Sequence, residues 1–378
     1  MKRNATLRAA AALSLVMGVG LSSVSVAGAS SRHEARHALF AESDSTSGNS
    51  VISYARASDG TISYFGTHPT FGLGAVAAGA TADPLASQGG LALINNGEEL
   101  IATNPGSDSI TVFSVDGARL SFLEQVASGG LFPNSVSSSG NLVAVLNSGG
   151  AGTVTEFRWD ENQLIPLSVQ TRSLGLANTT PPFYLQGAGQ VGYTPDGTHL
   201  IVTTKHSTDS FEVFSVSHRG VLGATPVITA ANSPVPFAFN FDNAGNLVAV
   251  EALNSNVSIY GVNVNGSLTS LGSVTDGAHA LCWISSAKGY FFGDNAGSGS
   301  VSSFTEGAGS APVLVNAAAA SAHAGTTDST VSPDGNFLYV ESGGAGTIDT
   351  YSVGSTGVLT PVETLFNLPV ASEGITAS

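Results

Sequence analysis

Short runs in which apolar and polar residues alternate dominate the chain, and turn-forming residues separate them. Residues 109–123, SITVFSVDGARLSFL, and 347–362, TIDTYSVGSTGVLTPV, each contain two such runs around a glycine-containing turn. A period of two places every second side chain on the same face of a β-strand, and a glycine turn joins two antiparallel strands. The pattern therefore predicts a chain built from β-hairpins.

A second kind of hairpin recurs, in which a strand and a glycine turn are followed by an apolar strand that ends in a polar residue. SPDGNFLYVES (332–342) is its sixth copy. The turn glycines, separated by 43, 57, 48, 44 and 46 residues, are Gly97, Gly140, Gly197, Gly245, Gly289 and Gly335. Each copy precedes a hairpin of the first kind. Four short antiparallel strands repeated at this interval predict the blades of a β-propeller.

A seventh unit is split between the two ends of the propeller sequence. HALFAES (37–43) matches the second strand of a unit, and residues 49–65 supply the outer hairpin. The missing inner strand matches SEGITAS (372–378), which resembles residues 88–94. The sequence therefore predicts an all-β, seven-bladed propeller of four-stranded antiparallel blades. The C-terminal strand would complete the first blade and leave no open sheet edge at the seam.

The N-terminal residues have the pattern of a secretory signal peptide. Lys2, Arg3 and Arg8 precede an apolar run over residues 9–21, and Ala27-Gly28-Ala29 forms a small-residue cleavage site. We expect residues 1–29 to be a signal peptide, 30–36 to be disordered and 37–378 to form one propeller domain. The expected location is therefore extracellular or periplasmic. An uncleaved membrane anchor is the alternative for the same segment.

Charge limits the partners that the protein can bind. Removing residues 1–29 takes away three of the 12 basic residues and leaves nine against 27 acidic ones, a net charge of −18. Nucleic acids and anionic membranes require clustered cations, so we expect neither as a partner. Cys282 is the only cysteine, so no intrachain disulfide can form. We expect the Cys282 thiol to be buried. We also expect the protein to be a monomer.

Acidic residues recur where the second strands of the predicted blades end. Adjacent antiparallel strands reverse direction, so this end shares a face with the start of each inner strand, which we call the mouth face. Read in register near the ends of these strands, four of the seven positions are acidic. The seven residues are Glu42, Thr103, Leu146, Thr203, Glu251, Asp294 and Glu341. The repetition predicts an acidic mouth that receives a small ligand.

Polar residues that precede or begin the inner strands would join this mouth. Glu251, Glu341 and His279 are the candidate catalytic residues, because crowded carboxylates and a nearby imidazole suit general acid–base catalysis. Carboxylate and amide oxygens also suit sugar hydroxyls or a cation such as Ca²⁺, although no cofactor is certain. Alternatively, each carboxylate has a structural role and accepts hydrogen bonds from neighbouring backbone N–H groups. The candidate binding residues are Glu42, Asp294, Asn134, Gln190, Asp328 and Glu373.

The repeated SPDG-type hairpin and the following V..F.V..DG.L pattern resemble the lactonase-type seven-bladed propellers, which include 6-phosphogluconolactonase and carboxymuconate cyclase. The resemblance covers residues 37–378 and implies the fold and a lactonase-type activity. The family's His-rich motif before an inner strand is not matched, since the sequence there reads FPNSV (132–136). Its channel-mouth arginine is also not matched. Phosphorylated or multiply carboxylated lactones need such cations, so the resemblance implies altered or lost chemistry.

Two functions remain open at this point. One is an exported enzyme that hydrolyses or cyclises a small lactone or sugar-derived substrate at the acidic mouth. The alternative is a non-catalytic propeller that binds a sugar, a metal ion or a protein partner. The missing histidine and arginine favour binding, whereas the recurring carboxylates and the family resemblance favour an enzyme.

Overall fold

A computed structural model describes residues 37–167 and 171–378. The predicted signal peptide (1–29) and the segment 30–36 lie outside the described residues. The first blade begins with β1 Ala38–Glu42, β2 Ser50–Arg56 and β3 Ile62–Pro69. Blade 2 contains β4 Leu91–Ile94, β5 Glu99–Asn104, β6 Ser109–Asp116 and β7 Arg119–Ala127. Blade 3 contains β8 Pro133–Ser139, β9 Leu142–Asn147, β10 Thr153–Asp160 and β11 Gln163–Pro166, and β12 Arg172–Ser173 also pairs with β10.

The second half of the chain continues the same order. Blade 4 contains β13 Val191–Tyr193, β14 His199–Thr203, β15 Ser210–Ser215 and β16 Val227–Ala230. Blade 5 contains β17 Pro236–Phe241, β18 Leu247–Glu251, β19 Asn256–Val262 and β20 Leu268–Thr275. Blade 6 contains β21 Leu281–Ala287, β22 Tyr290–Asn295, β23 Ser300–Glu306 and β24 Pro312–Ser321. Blade 7 contains β25 Asp328–Val331, β26 Phe337–Ser342, β27 Thr347–Val353 and β28 Leu359–Phe366, and β29 Ile375–Ala377 follows.

The C-terminal strand closes the first blade. β29 pairs antiparallel with β1, giving the sheet order β29-β1-β2-β3. The seam is fixed beyond this ladder, because the Arg56 guanidinium donates to the Ser378 carbonyl at 3.2 Å. The prediction of a seven-bladed propeller with four-stranded antiparallel blades and a C-terminal closing strand is confirmed.

The core lies between neighbouring blades, where the apolar faces of adjacent sheets pack together. Phe40 of blade 1 packs in one cluster with Leu100 and Phe113 of blade 2. In another cluster, the rings of Phe237 in blade 5 and Trp283 in blade 6 meet edge to face, 5.4 Å between centroids. Each sheet buries both faces in this way, which explains the apolar second strands seen in the sequence.

Helical structure in the described part of the chain is confined to 3-10 turns. They are Asn95–Gly97, Lys205–Ser207, Ala252–Asn254 and Ala308–Ser310. Between residues 37 and 378, outside the gap at 168–170, no helix has the length and apolar character needed to cross a membrane. Two inter-blade connections on the mouth face, residues 70–90 and 174–190, are much longer than the others, such as 128–132 and 231–235.

Replacing Ile375 in the closing strand by aspartate tests how far stability depends on the seam. Ile375 is 4% exposed and packs with Leu39 and Tyr339. We expect Ile375→Asp to lower the free energy of unfolding by about 3–5 kcal/mol, because it buries an unpaired charge. Thermal and urea unfolding followed by circular dichroism would measure the change.

A matched control lies five residues earlier in the same segment. Val370 is 72% exposed, so Val370→Asp should change the free energy of unfolding by less than about 0.5 kcal/mol. Equal stability of the two variants would show that the C-terminal strand contributes little to closure.

Candidate functional site

The long connection 70–90 crosses the channel on the mouth face, and we call its residues 84–89 the strap. Ser87 Oγ donates to the Asn134 carbonyl of blade 3 at 2.7 Å, and the Trp283 indole of blade 6 donates to the Ser87 carbonyl at 2.7 Å. The Gln88 amide makes two 3.1 Å hydrogen bonds with the backbone of Ile284. Blades 3 and 6 lie across the ring from each other, so the strap spans the axis and fills the channel there.

Beneath the strap the channel continues toward the opposite face. Gln88 and Gly89 form one end of a cavity of about 270 Å³, which we call the lower channel. Ser285 and Thr330 of the inner strands line it, together with the predicted binding residue Asp328. The lower channel is therefore a polar space closed on the mouth side by the strap.

Glu373 holds the strap from below. Its Oε2 accepts hydrogen bonds from the backbone N–H groups of Leu85 (2.6 Å) and Ala86 (3.2 Å), and its Oε1 accepts from the N–H (2.8 Å) and hydroxyl (3.2 Å) of Ser87. Three consecutive N–H groups thus converge on one carboxyl group, as in an anion-binding nest. The side chain predicted to bind ligand instead binds the protein's own backbone.

Lys205 holds the strap from the blade 4 side. Its Nζ donates to the carbonyls of Ala86 at 2.6 Å and Tyr184 at 2.5 Å, and so ties together the two long connections. The ammonium lies 5.1 Å from the centre of the Phe237 ring, a cation–π arrangement. The side chain is 1% exposed, and this burial lowers its pKa to about 8. Lys205 therefore acts in positioning the loops.

Buried carboxylates cluster beside the strap without a cation of their own. Glu42 Oε1 accepts a 2.7 Å hydrogen bond from Asn49, and Asp44 Oδ2 accepts one of 2.9 Å from the Glu373 N–H. Glu42 Oε2, Asp44 Oδ1 and both oxygens of Glu341 have no hydrogen-bond partner among the described residues. Burial raises the pKa of Glu42, Asp44 and Glu341 well above the ordinary range, and repulsion by neighbouring carboxylates raises it further. Protonated carboxyl groups are favoured there.

Glu251 does not share the register of the other three acidic second-strand residues. Glu42, Asp294 and Glu341 each lie opposite an apolar residue of the third strand, as in the pair Glu341–Ile348. In blade 5 that position belongs to Val250, which lies opposite Val257, and Glu251 lies opposite Asn256. The expectation of a shared register therefore fails for this residue, and three of the seven positions are acidic.

The offset arises from the turn of blade 5. A hydrogen bond from Asp242 N to Asn246 O closes this turn, whereas Ser332 N to Phe337 O closes the turn of blade 7, which is one residue longer. Counting from the turn glycine gave the same position for Glu251 and Glu341. Because side chains alternate along a strand, a one-residue difference turns Glu251 to the other face of its sheet.

Glu251 has the structural role that was the alternative to ligand binding, because its carboxylate accepts hydrogen bonds from the protein itself. Its carboxylate accepts hydrogen bonds from the backbone N–H of Asn232 (3.0 Å) and from the hydroxyls of Tyr260 (2.6 Å) and Ser258 (2.9 Å). It is fully buried, and burial raises its pKa. No described carboxylate or imidazole contacts it, so the structure does not bring Glu251 into the cluster.

The remaining predicted residues are divided between structural contacts and the rim. Asn134 donates to the Ala188 carbonyl at 2.9 Å, and the Gln190 amide pairs with the backbone N–H and carbonyl of Phe239. Asp328 accepts from the N–H of Ser329 at 2.7 Å. His279 is exposed, and its backbone N–H donates to Ser298 Oγ at 2.9 Å. The structure does not bring His279 together with the carboxylate cluster.

A separate cavity of about 520 Å³, which we call the mouth pocket, opens on the mouth face between the two long connections. Blades 5, 6 and 7 form its other walls. Asp83, directly before the strap, is its only lining carboxylate. Thr326 and Cys282 also line it, and the buried Thr326 hydroxyl has no hydrogen-bond partner among the described residues. The Cys282 thiol is buried, which raises its pKa and keeps it protonated.

Asp83 and Glu373 form a carboxyl pair that links the mouth pocket to the strap. The two groups share a hydrogen bond, and Asp83 Oδ1 also accepts from the Ala86 N–H at 2.8 Å. Burial and the neighbouring charge of Asp83 raise the pKa of Glu373 well above its usual range. Burial also raises the pKa of Asp83, but the hydrogen bond from Glu373 and the charge of Lys205 oppose this increase. Because both pKa values are raised and the two groups interact, the pair as a whole binds a proton more tightly than isolated carboxyl groups would.

Metal ligation requires several donor groups around one point. Across residues 37–167 and 171–378, no three His, Cys, Asp or Glu side chains are arranged to hold a metal ion. The unpaired oxygens of Glu42 and Glu341 are acceptors that a cation would suit, but a third side-chain ligand does not join them.

Sequence reasoning missed Asp83, Thr326 and the strap. The available signal was the length of the connection 70–90, since long connections in compact domains are often functional. The two carbonyl groups that Lys205 binds belong to residues more than 20 and 100 positions away in sequence. Such contacts leave no local pattern in a sequence.

Replacing Asp294 by asparagine tests the electrostatic cost of the buried carboxylates. Burial raises the Asp294 pKa from 3.8 to about 7, and the interaction with the Ser329 side chain opposes this increase only in part. The folded protein therefore binds this proton more tightly than the unfolded chain, so wild-type stability should fall as pH rises from about 4 to 7. Asp294→Asn should remove this loss and raise Tm above pH 7 by at least about 2 °C.

Thermal unfolding of both proteins between pH 4 and pH 8 would measure the difference. At pH 4 the two Tm values should nearly coincide, because Asp294 is protonated in the folded protein. Asp116→Asn, at an exposed position, is the control. A Tm difference that does not vary with pH would contradict the raised pKa.

Solved structures of other proteins share this fold. A protein from Lactobacillus plantarum is 17% identical, with a TM-score of 0.71 over 91% of this chain and 99% of its own. The periplasmic gluconolactonase PpgL of Pseudomonas aeruginosa is 18% identical, with a TM-score of 0.68 over 90% and 98%. A proposed 6-phosphogluconolactonase of Bacteroides fragilis is 15% identical, with a TM-score of 0.69 over 92% and 99%. At these identities the likeness establishes the fold alone.

Sequence comparison identifies the family. No curated protein matches the chain. The family described as lactonase, 7-bladed beta-propeller, matches residues 47–173 and 151–285. The two matches overlap and together cover residues 47–285 of the 378, well over half of the chain. With seven four-stranded blades and a C-terminal strand that closes the first, this chain belongs to the seven-bladed β-propeller lactonase family.

Proposed function

We propose that the protein hydrolyses a small lactone in the mouth pocket, with Asp83 as the general base. The observation that carries the proposal is the Asp83–Glu373 pair, in which the only carboxylate in the described lining of the pocket interacts with a buried carboxyl group whose pKa is raised. When two neighbouring carboxyl groups hold one proton, the protonated group can act as the acid and the ionised group as the base. Membership of a lactonase family supports the same reaction class.

The reaction needs a base for water and a donor for the developing oxyanion. The Asp83 carboxylate would take a proton from a water molecule as the water oxygen bonds to the lactone carbonyl carbon. Collapse of the tetrahedral intermediate breaks the ring C–O bond, and the ring oxygen takes the proton back from Asp83. The product is a hydroxy acid. Glu373, bonded to the strap and to Asp83, would orient the base.

The Thr326 hydroxyl is the proposed donor to the oxyanion. It lies in the wall of the mouth pocket and its residue is 1% exposed. Its oxygen is buried and has no hydrogen-bond partner among the described residues, so its capacity to donate is unused by the protein itself. In the proposed reaction this hydroxyl donates to the developing oxyanion.

Export is part of the same proposal. The basic and apolar pattern of residues 1–29 supports secretion, and the P. aeruginosa neighbour is described as periplasmic. The net charge of −15 supports a small-molecule ligand over nucleic acid or anionic membranes as the partner, and we propose a monomer.

Ligand binding without hydrolysis is the second candidate function. The specific observation in its favour is that Glu251, Asn134 and Gln190 all bond to the protein's own backbone or hydroxyls. The two candidates differ in whether Asp83 affects turnover or only affinity. A divalent cation such as Ca²⁺ remains a candidate ligand, best tested by the dependence of Tm on millimolar calcium.

Removing the proposed base should abolish hydrolysis without unfolding the protein. Asp83→Asn keeps the size of the side chain but cannot accept a proton from water. We expect kcat to fall by about 10²- to 10⁴-fold on any lactone that the wild type hydrolyses. A pH-stat or pH-indicator assay that records the acid released would measure the rates, and circular dichroism would verify folding.

Asp116→Asn serves as the matched control, because Asp116 is exposed on blade 2 and remote from the mouth pocket. Its rate should equal that of the wild type. The wild-type rate should also fall as pH drops below the raised pKa of Asp83, since a protonated base cannot take a proton. Equal rates for Asp83→Asn and the wild type would rule out Asp83 as the base.

A further inference from the structure

The walls of the mouth pocket are mainly apolar. Trp283 and Phe237, which are 0% and 2% exposed, meet edge to face at 5.4 Å between ring centroids and support the wall from behind. The hydrogen bond from the Trp283 indole to the Ser87 carbonyl fixes one ring. Leu253 lies at the pocket with 60% of its surface exposed. The other apolar lining side chains are Leu185, Val235, Ala252 and Ala280. The pocket thus offers a rigid apolar surface on the side of blades 5 and 6.

No basic side chain lines this pocket. Its described lining contains no lysine, arginine or histidine, and Asp83 contributes negative charge. Lys205 lies behind the Phe237 ring, but its Nζ donates to two backbone carbonyls and is out of contact with solvent. An anionic substrate would therefore meet a carboxylate without a compensating cation, in a protein with a net charge of −15.

We propose that the substrates are uncharged lactones with an alkyl or aryl substituent, rather than phosphorylated or carboxylated ones. The inference rests on the proposed hydrolysis and specifies its substrate class. The lactone carbonyl lies between Asp83 and Thr326, and the substituent lies against the partly exposed side chains of Leu185, Leu253 and Ala280. The volume of about 520 Å³ is within the usual range for small-molecule sites and accommodates more than a lactone ring.

The arrangement predicts a dependence on substituent length. Each methylene group that moves from water to the apolar wall contributes about fourfold to the affinity of the transition state. A phosphate or second carboxylate has no partner in the pocket, so its desolvation is uncompensated. Apolar extension should raise kcat/KM, and added negative charge should lower it.

A homologous series of lactones tests the proposal on the full-length mature protein. γ-Butyrolactone, γ-hexalactone, γ-nonalactone and 6-phosphogluconolactone would be compared by kcat/KM. At about fourfold per buried carbon, we expect kcat/KM to rise up to about 16-fold from γ-butyrolactone to γ-hexalactone and up to about 60-fold more to γ-nonalactone. The phosphorylated substrate should have the lowest value. A preference for 6-phosphogluconolactone, or no dependence on chain length, would overturn the substrate class and leave lactone hydrolysis intact.

A charge introduced at Leu253 tests whether this wall binds the substituent. Leu253 is exposed enough for Leu253→Lys to fold normally. This variant should lower kcat/KM for γ-nonalactone about 5- to 20-fold while changing the value for γ-butyrolactone little. Val264, 97% exposed and outside the mouth pocket, provides the matched control Val264→Lys, which should behave like the wild type. Identical behaviour of the two lysine variants would exclude Leu253 from the substrate site.

A binding measurement separates failure of the substrate class from failure of hydrolysis. The chain has two tryptophans, so Trp159→Phe leaves Trp283 in the pocket wall as the fluorescent reporter. An unreactive γ-alkyl lactam would be titrated and its Kd compared with that of unsubstituted 2-pyrrolidinone. Tighter binding of the alkyl lactam by a protein that hydrolyses no lactone would support the ligand class and refute the reaction. No binding of either lactam would overturn the proposed ligand class.

Discussion

The hydrogen bonds between the Glu373 carboxyl group and the strap connect the closure of the propeller with the shape of its mouth. Glu373 immediately precedes the C-terminal strand that completes blade 1, and its oxygens accept the N–H groups of Leu85, Ala86 and Ser87. These hydrogen bonds tie the strap to the segment that leads into the pairing of the C-terminal strand with β1. Because Asp83 lies directly before the strap and bonds to Glu373, the proposed catalytic base is also positioned by ring closure.

This arrangement has an electrostatic cost that the fold does not neutralise with cations. The described chain places carboxyl groups of Glu42, Asp44, Glu341 and Glu373 near the strap, and Lys205 is the only basic side chain buried beside them. Hydrogen bonds from backbone N–H groups and retained protons take the place of counter-ions. Such sites reduce stability relative to an apolar core of the same size, and proteins usually retain them where the groups serve a function.

The sequence was sufficient for the architecture because the blade pattern is local. Strand alternation, turn glycines and the matching terminal segments predict all seven blades and the seam, and the structure confirms them. It was insufficient for the site because register and loop position depend on longer-range contacts. A turn shorter by one residue moves Glu251 to the other face of its sheet. Asp83 becomes a pocket residue only through a connection that bonds to blades 3, 4 and 6.

The strap also determines how molecules can move through the protein. The mouth pocket and the lower channel share no lining residue, and the packed segment 84–89 lies between them on the axis. The strap therefore separates the mouth pocket from the lower channel. In the proposed hydrolysis, substrate and product would share the opening of the mouth pocket, so a slowly departing product would act as a competitive inhibitor of the next cycle.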